Sequence, residues 1–178
     1  MLNKIRGFTL IELLIVVAIL GILAALLIPN AITAIQKAKQ KSTMKDITVI
    51  STGVTDYVTD NGITPVQDGA YTAGSDFYTA LSPFYIKVLP LTDQWGTGFM
   101  AYCGTACDGN YGITGAAGDD FVIASYGRAG EEETSFTFSA ADPEAGLYVV
   151  SQAAHFNRDL VMWNGSWIRA PRTAAAGT

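Results

Sequence analysis

The residues of this chain that could do chemistry mostly stand apart. His155 is the single histidine, and no serine or cysteine is spaced to pair with it. The acid–base or nucleophile–base pair that a hydrolytic enzyme needs is therefore not in view, and His155 reads as structural. No Gly-x-Ser-x-Gly elbow occurs. The run Gly109-Asn110-Tyr111-Gly112-Ile113-Thr114-Gly115 lacks the Gly-Lys-Ser/Thr of a phosphate loop and predicts a surface loop. Cys103 and Cys107 are the only thiols; their spacing is not Cys-x-x-Cys, and with one histidine they make a poor zinc set. In an oxidising compartment they predict a local disulfide, with two buried free thiols as the alternative. Asp108, Asn110 and Asp119 fall at the first, third and twelfth places of an EF-hand-like loop, but Gly112 and Ile113 replace a ligand and the turn glycine. Glu131, Glu132 and Glu133 read as a solvated edge, and Trp95, Trp163 and Trp167 as anchors of a small core.

Glu12 is different. From Phe8 to Ile28 every residue is apolar or small except Thr9 and Glu12. As a helix this stretch is about 30 Å long, the thickness of a bilayer's hydrocarbon core. A carboxylate there costs at least a few kcal/mol and marks a function with a partner. A secretory signal peptide has a shorter apolar core and a small-x-small cleavage site, neither of which is found. A plain membrane anchor explains the length but not the acid. Before the run lies a short basic leader, MLNKIRG, carrying Lys4 and Arg6.

Gly7-Phe8-Thr9-Leu10-Ile11-Glu12, with the basic leader before it and the apolar run after it, resembles the processing signature of the type IV pilin and pseudopilin superfamily. The resemblance covers the first ~60 residues firmly. It implies cleavage between Gly7 and Phe8 by a prepilin peptidase, N-methylation of Phe8, and polymerisation through this helix. It makes Phe8, Thr9 and Glu12 the assembly residues. It also orients the chain, with a cytoplasmic leader and an external domain. Charge counting points the other way, because Lys37, Lys39, Lys41 and Lys45 follow the apolar run.

The 178 residues allow one domain besides the helix. Net charge is −5; without Lys4 and Arg6 the 11 basic residues become nine against 16 acidic, a net −7. An acidic domain is a poor nucleic-acid binder, and no nucleic-acid partner is expected.

After Pro29 the pattern turns amphipathic. Ile32, Ile35, Met44, Ile47, Val54 and Val58 recur at helical spacing, opposite a polar face that includes the lysines. One helix from Phe8 to about Asp60, roughly 80 Å long, is expected to stop at Asn61-Gly62. Pro29 cannot donate to Ala25 and Gly21 lowers helix propensity, so these two are the expected helix-break positions in a filament whose subunits slide and stretch, while a lone subunit can stay helical with a proline kink. Residues 61–74 read as a loop, and 75–81 as a short helix capped by Ser75. Strands are expected at 99–102, 121–126, 134–139 and 147–150, with a hairpin at 160–168 turning on Asn164-Gly165 and a frayed tail from Ala170. The fold class is α+β: a long N-terminal helix packed on a small antiparallel sheet.

Within LSPFYIKVLPLTDQWGTGFMAYC, the residues Leu89, Pro90, Asp93, Trp95, Gly96, Phe99 and Tyr102 resemble a stretch of the major pseudopilins. Gln94 stands where that family usually has proline, and Gly98 also departs from its pattern. Ser125-Tyr126-Gly127-Arg128-Ala129-Gly130 resembles the opening Ser-x-Gly-x-Asp-Gly of their calcium loop, with Ala129 at the Asp position; Glu131, Glu132, Glu133 and Asp142 are nearby oxygens. No cofactor is expected, with calcium as the alternative.

The resemblance therefore implies a non-enzymatic filament subunit, most like the major pseudopilin of a type II secretion system, anchored in the inner membrane by one pass. Its implied partners are further copies of itself, minor pseudopilins, and an assembly platform with its ATPase. The implied layout is a cleaved leader (1–7), a transmembrane and polymerisation helix (8–28), an amphipathic helix (29–61) and a periplasmic globular domain (62–178). The alternative is a type IV pilin whose filament reaches the cell exterior for adhesion, motility or DNA uptake. The absence of a C-terminal disulfide-bounded region and the Asp-x-Trp-Gly stretch favour the pseudopilin.

Overall fold

The computed structural model describes residues 8–172; the leader with Gly7, and the last residues of the tail, lie outside them. The chain divides into two units, Met1–Lys37 and Ala38–Thr178. One helix, α1 (Leu10–Asn61), belongs to both.

In the first unit α1 carries its leucines, isoleucines and valines in the open. Among the described residues it is the one helix long and apolar enough to cross a membrane. In this lone subunit it runs unbroken through Gly21 and Pro29; the expected break belongs to the filament. Proline removes one backbone donor, but the side chains that follow bond back to the turn. Asn30 Nδ2 donates to the Leu26 carbonyl at 3.3 Å and Thr33 Oγ1 to the Pro29 carbonyl at 3.0 Å.

In the second unit α1 buries Gln40, Thr43, Ile47, Ile50, Ser51, Gly53 and Val54. This stripe is more polar than expected. Ile32 and Ile35 stay over half exposed, while Gln40 and Thr43 are buried because each finds a partner. Gln40 Nε2 donates to the Tyr148 hydroxyl at 3.2 Å, and Thr43 Oγ1 accepts from the Gln94 N–H at 3.3 Å. Gly53 admits the Ile86 side chain, which lies 2.4 Å from where a Cβ would stand. The helix ends as expected: Gly62, at φ +78°, donates its N–H to the Val58 carbonyl.

The helix α2 (Asp76–Leu81) is capped by Ser75, whose hydroxyl accepts from the Tyr78 N–H. The strands are β1 (Asp68–Ala70), β2 (Met100–Cys103), β3 (Phe121–Ser125), β4 (Leu147–Tyr148), β5 (Leu160–Trp163) and β6 (Ser166–Pro171). They form one sheet in the order β1-β2-β3-β5-β6-β4, antiparallel except for the β4–β6 pair. Asn164 and Gly165, both at positive φ, turn β5 into β6, as the primed hairpin turn demands. The Asn164 carboxamide also bonds back to the Phe121 N–H and the Asp120 carboxylate.

The sheet is covered on both faces, which is why all of β3 is buried. Ala101, Cys103, Phe121, Ile123, Leu160 and Met162 share a core with Ile47, Ile50 and Val54 of α1. Tyr102, Val122, Ala124, Val161 and Ile168 lie in a second core with Cys107, Tyr111 and Ile113. The segment expected as a strand at 134–139 is not one. Phe136 and Phe138 do alternate into the second core, but the backbone pairs with a loop, Phe138 N–H to Tyr111 carbonyl, instead of a strand. Conversely, β1 forms within the expected loop, and β6 extends into the expected tail.

The Cys103–Cys107 disulfide is also corrected: both thiols are free and buried. Cys103 points into the core shared with α1 and Cys107 into the other core. The Cys107 thiol instead donates to the Tyr102 carbonyl at 3.2 Å. Burial pushes both thiols up, Cys107 to about 12. Non-reduced intact protein is therefore expected to show two free thiols by mass spectrometry, labelled by a maleimide only after denaturation. A mass two hydrogens lighter, with no labelling after denaturation, would mean the cysteines are joined.

Candidate functional site

At the start of α1, Thr9 and Glu12 satisfy each other. The Glu12 carboxylate accepts from the Thr9 N–H at 2.9 Å and from the Thr9 hydroxyl at 2.6 Å, while the Thr9 Oγ1 accepts from the Glu12 N–H at 3.3 Å. This is a capping box, Thr-x-x-Glu, which gives two orphan amides of a helix start their acceptors. Its sequence signature stands in plain view at Thr9-Leu10-Ile11-Glu12 but was read only for its charge. Phe8, just outside the box, is 73% exposed. The box therefore joins two of the three expected assembly residues and leaves Phe8 free beside them.

A second constellation joins two stretches far apart in sequence. Asp93, almost fully buried, accepts on Oδ1 from the N–H groups of Trp95 and Thr97, and on Oδ2 from the Ser125 hydroxyl at 2.7 Å. Ser125 Oγ in turn accepts from the Gly127 N–H. The Asp-x-Trp-Gly turn is thus pinned to the Ser-x-Gly turn at the end of β3. Gly127 cannot be replaced easily: its φ is +58°, and a Cβ would fall 2.5 Å from the Arg158 carbonyl oxygen. Gln94, the departure from proline, ties the same turn to α1. Its N–H donates to Thr43 and its side chain to Asp46 at 3.2 Å, neither of which a proline could supply.

The other candidates are structural where the described contacts reach them. Nδ1 of His155 lies 2.9 Å from the Val149 carbonyl and 3.3 Å from the Ser151 nitrogen, donating to the first or accepting from the second according to its tautomer, and the ring abuts Tyr148 edge-on. Asp108 accepts from the Ala116 N–H and Asn110 donates to the Ala106 carbonyl, so both serve their own loop. Trp163 and Trp167 are half-buried against the two cores, as anchors.

Asp159 carries a feature that the sequence pattern hid. It is wholly buried; Oδ2 accepts from the Glu133 N–H at 3.0 Å, and Oδ1 has no partner. Burial, reinforced by the charges of Glu133 and Glu132, raises its carboxyl to about 7, against the lowering effect of the Glu133 N–H.

Residues 2–28 match the family model described as the prokaryotic N-terminal methylation motif. The chain is 32% identical over 139 residues to the type II secretion system core protein G of Vibrio cholerae, covering 75% of this chain and 89% of that protein. This chain belongs to the core protein G family. A second member, from Dickeya chrysanthemi, is 29% identical over 159 residues, covering 85% of this chain and 92% of its own. A pilin relative, the type IV wide pilus major component PilA4 of Thermus thermophilus, is 29% identical over 144 residues, covering 81% of this chain and 98% of its own. No solved structure gives a significant match.

Asp159 gives this core protein G relative a pH signature. An unfolded aspartate ionises near pH 4, about three pH units below Asp159 in the fold. Between those values the unfolded chain has lost a proton that the folded chain keeps. Stability from this group is therefore full below about pH 4, falls as pH rises, and levels off above about 7. Asp159→Asn is expected to remove that fall, narrowing the urea-midpoint difference between about pH 4.5 and 7.5 by up to a few kcal/mol equivalent. An unchanged pH dependence in the variant would show that Asp159 ionises normally.

Proposed function

We propose that this chain is the major pseudopilin of a type II secretion-like system, a non-enzymatic subunit that polymerises into a periplasmic filament driving protein export. The observation that carries the reading is the Thr9–Glu12 box at the mouth of a long apolar helix, in a chain similar to core protein G over most of its length. In this reading a prepilin peptidase cleaves after Gly7 and Phe8 is N-methylated. The subunit then waits in the inner membrane as a single pass through 8–28, with 62–178 in the periplasm. An assembly platform and its ATPase extract it, and minor pseudopilins join the filament.

The chemistry of assembly follows from charge. Cleavage makes Phe8 a cationic amine within one helical turn of the anionic Glu12. Each ion is costly alone in apolar surroundings and each attracts the other. Thr9 satisfies Glu12 in the lone subunit. In a filament, Glu12 of an incoming copy meets the Phe8 amine of a neighbour and sets the axial register. Between Gly21 and Pro29 the helix, continuous in the subunit, loses regular hydrogen bonds as the filament stretches, since the Pro29 position is already one donor short. The similarity to the wide-pilus component favours a second reading, a surface pilin.

Deleting the gene is expected to leave exoproteins trapped in the periplasm while surface pili and twitching persist. Lost motility with normal secretion would establish the pilin reading. Glu12→Leu is expected to give processed, membrane-resident monomer and no filament, because it removes one partner of a pair worth ~3–5 kcal/mol when broken and leaves insertion more favourable. Immunoblots for processing and electron microscopy for filaments read the two halves. Normal filaments from this variant would show that the carboxylate does not set the register.

A further inference from the structure

Residues 131–146 pass from the turn after β3 to β4 without a strand or helix of their own. The family resemblance implies a calcium loop at the start of this segment, and the residues present do not fit one. Ala129 stands at the Asp position. Both Glu133 oxygens are held by Arg169, and one Asp159 oxygen is held by the Glu133 N–H. Of the buried carboxylate oxygens here, Asp159 Oδ1 alone lacks a partner, where calcium takes six to eight oxygens. Among the described residues no group of three His, Cys, Asp or Glu side chains could hold a metal.

The cation there is a guanidinium. Arg169 of β6 is 8% exposed. Its Nε donates to Glu133 Oε2 at 3.0 Å, its Nη2 to Glu133 Oε1 at 2.5 Å, and its Nη1 to the Gly146 carbonyl at 3.2 Å. The same group lies 4.8 Å from the centre of the Phe136 ring and 5.2 Å from that of Tyr148. One side chain thus grips the segment near its start, at Phe136 and at its end. Gly146 permits the closure: a Cβ there would stand 1.8 Å from the Ile168 carbonyl oxygen and 2.8 Å from the Phe136 ring. The planar fork of arginine suits this bidentate, stacked setting, and lysine would not reproduce it.

We propose that the Arg169–Glu133 clasp replaces a divalent cation in closing residues 131–146, so that this face of the subunit holds its shape without calcium. The inference rests on the pseudopilin resemblance only for the expectation it displaces; the clasp itself stands on the contacts of Arg169.

The test uses full-length protein in detergent micelles, in excess EGTA and in millimolar calcium. Cleavage by a glutamate-specific protease within 131–146 is followed by mass spectrometry, and unfolding by tryptophan fluorescence. Wild type is expected to be cleaved at the same rate and to melt at the same temperature in both buffers. Arg169→Met is expected to be cleaved at least about tenfold faster in both, since it strands a buried carboxylate. Arg169→Lys, which keeps the charge but loses the fork, should fall between them and serves if the methionine variant does not fold. Calcium protection of wild type, or wild-type cleavage rates in both variants, would overturn the clasp. The first result would leave the filament function intact, because that reading does not depend on how this segment closes.

Discussion

A carboxylate within a run of hydrocarbon side chains has to be given a partner, and the start of α1 is arranged around that requirement. Glu12 finds its first partner three residues away, in the amide and hydroxyl of Thr9. The arrangement costs the helix nothing, because the start of any helix has amides in need of acceptors. It also survives the proposed cleavage, since the Thr9 amide lies on the C-terminal side of Phe8. In the proposed assembly, a subunit rests in the membrane with its acid satisfied locally and gives up that arrangement for the Phe8 amine of a neighbouring copy. The box is neutral-donor chemistry, and an ammonium at the same carboxylate is the better partner.

In the globular domain, polar side chains do the fastening at each place where the chain must hold a fixed turn. Asp93 collects two amides and the Ser125 hydroxyl, Gln94 reaches Thr43 and Asp46, and Arg169 gathers Glu133 and the Gly146 carbonyl. Buried donors and acceptors left alone would cost about 1–3 kcal/mol each, so each knot specifies one loop geometry and penalises the others. This explains how a chain with short strands and 18 glycines keeps its long connections in place. It also explains why the α1 stripe that faces the sheet includes glutamine, threonine and serine: the helix meets loops and a tyrosine hydroxyl as well as aliphatic side chains.

Local rules made part of this legible beforehand. The α2 cap at Ser75, the stop at Asn61-Gly62 and the Asn164-Gly165 hairpin each depend on a few neighbouring residues, and each stands where those residues put it. The α+β class followed from the long helical pattern and the short strand patterns after it. What was not legible depends on partners distant in sequence. The β1 strand has the composition of a loop and becomes a strand only because β2 lies beside it. Residues 134–139 have the alternation of a strand but no edge to pair with. Cys103 and Cys107 have a spacing that allows a bridge, yet the sheet puts them in opposite cores. The roles of Gln94, Asp159 and Arg169 likewise appear only when residues tens of positions apart are brought together.

In the proposed assembly Glu12 changes partner. The most direct measurement is a cryo-electron microscopy map of the filament, at a resolution that shows side chains at the start of α1. The account predicts Glu12 of one subunit within hydrogen-bonding distance, about 3 Å, of the Phe8 amine of a neighbour, with the Thr9 contacts loosened. A filament in which Glu12 stays on its own Thr9, and every neighbouring Phe8 amine lies beyond salt-bridge reach, would contradict it.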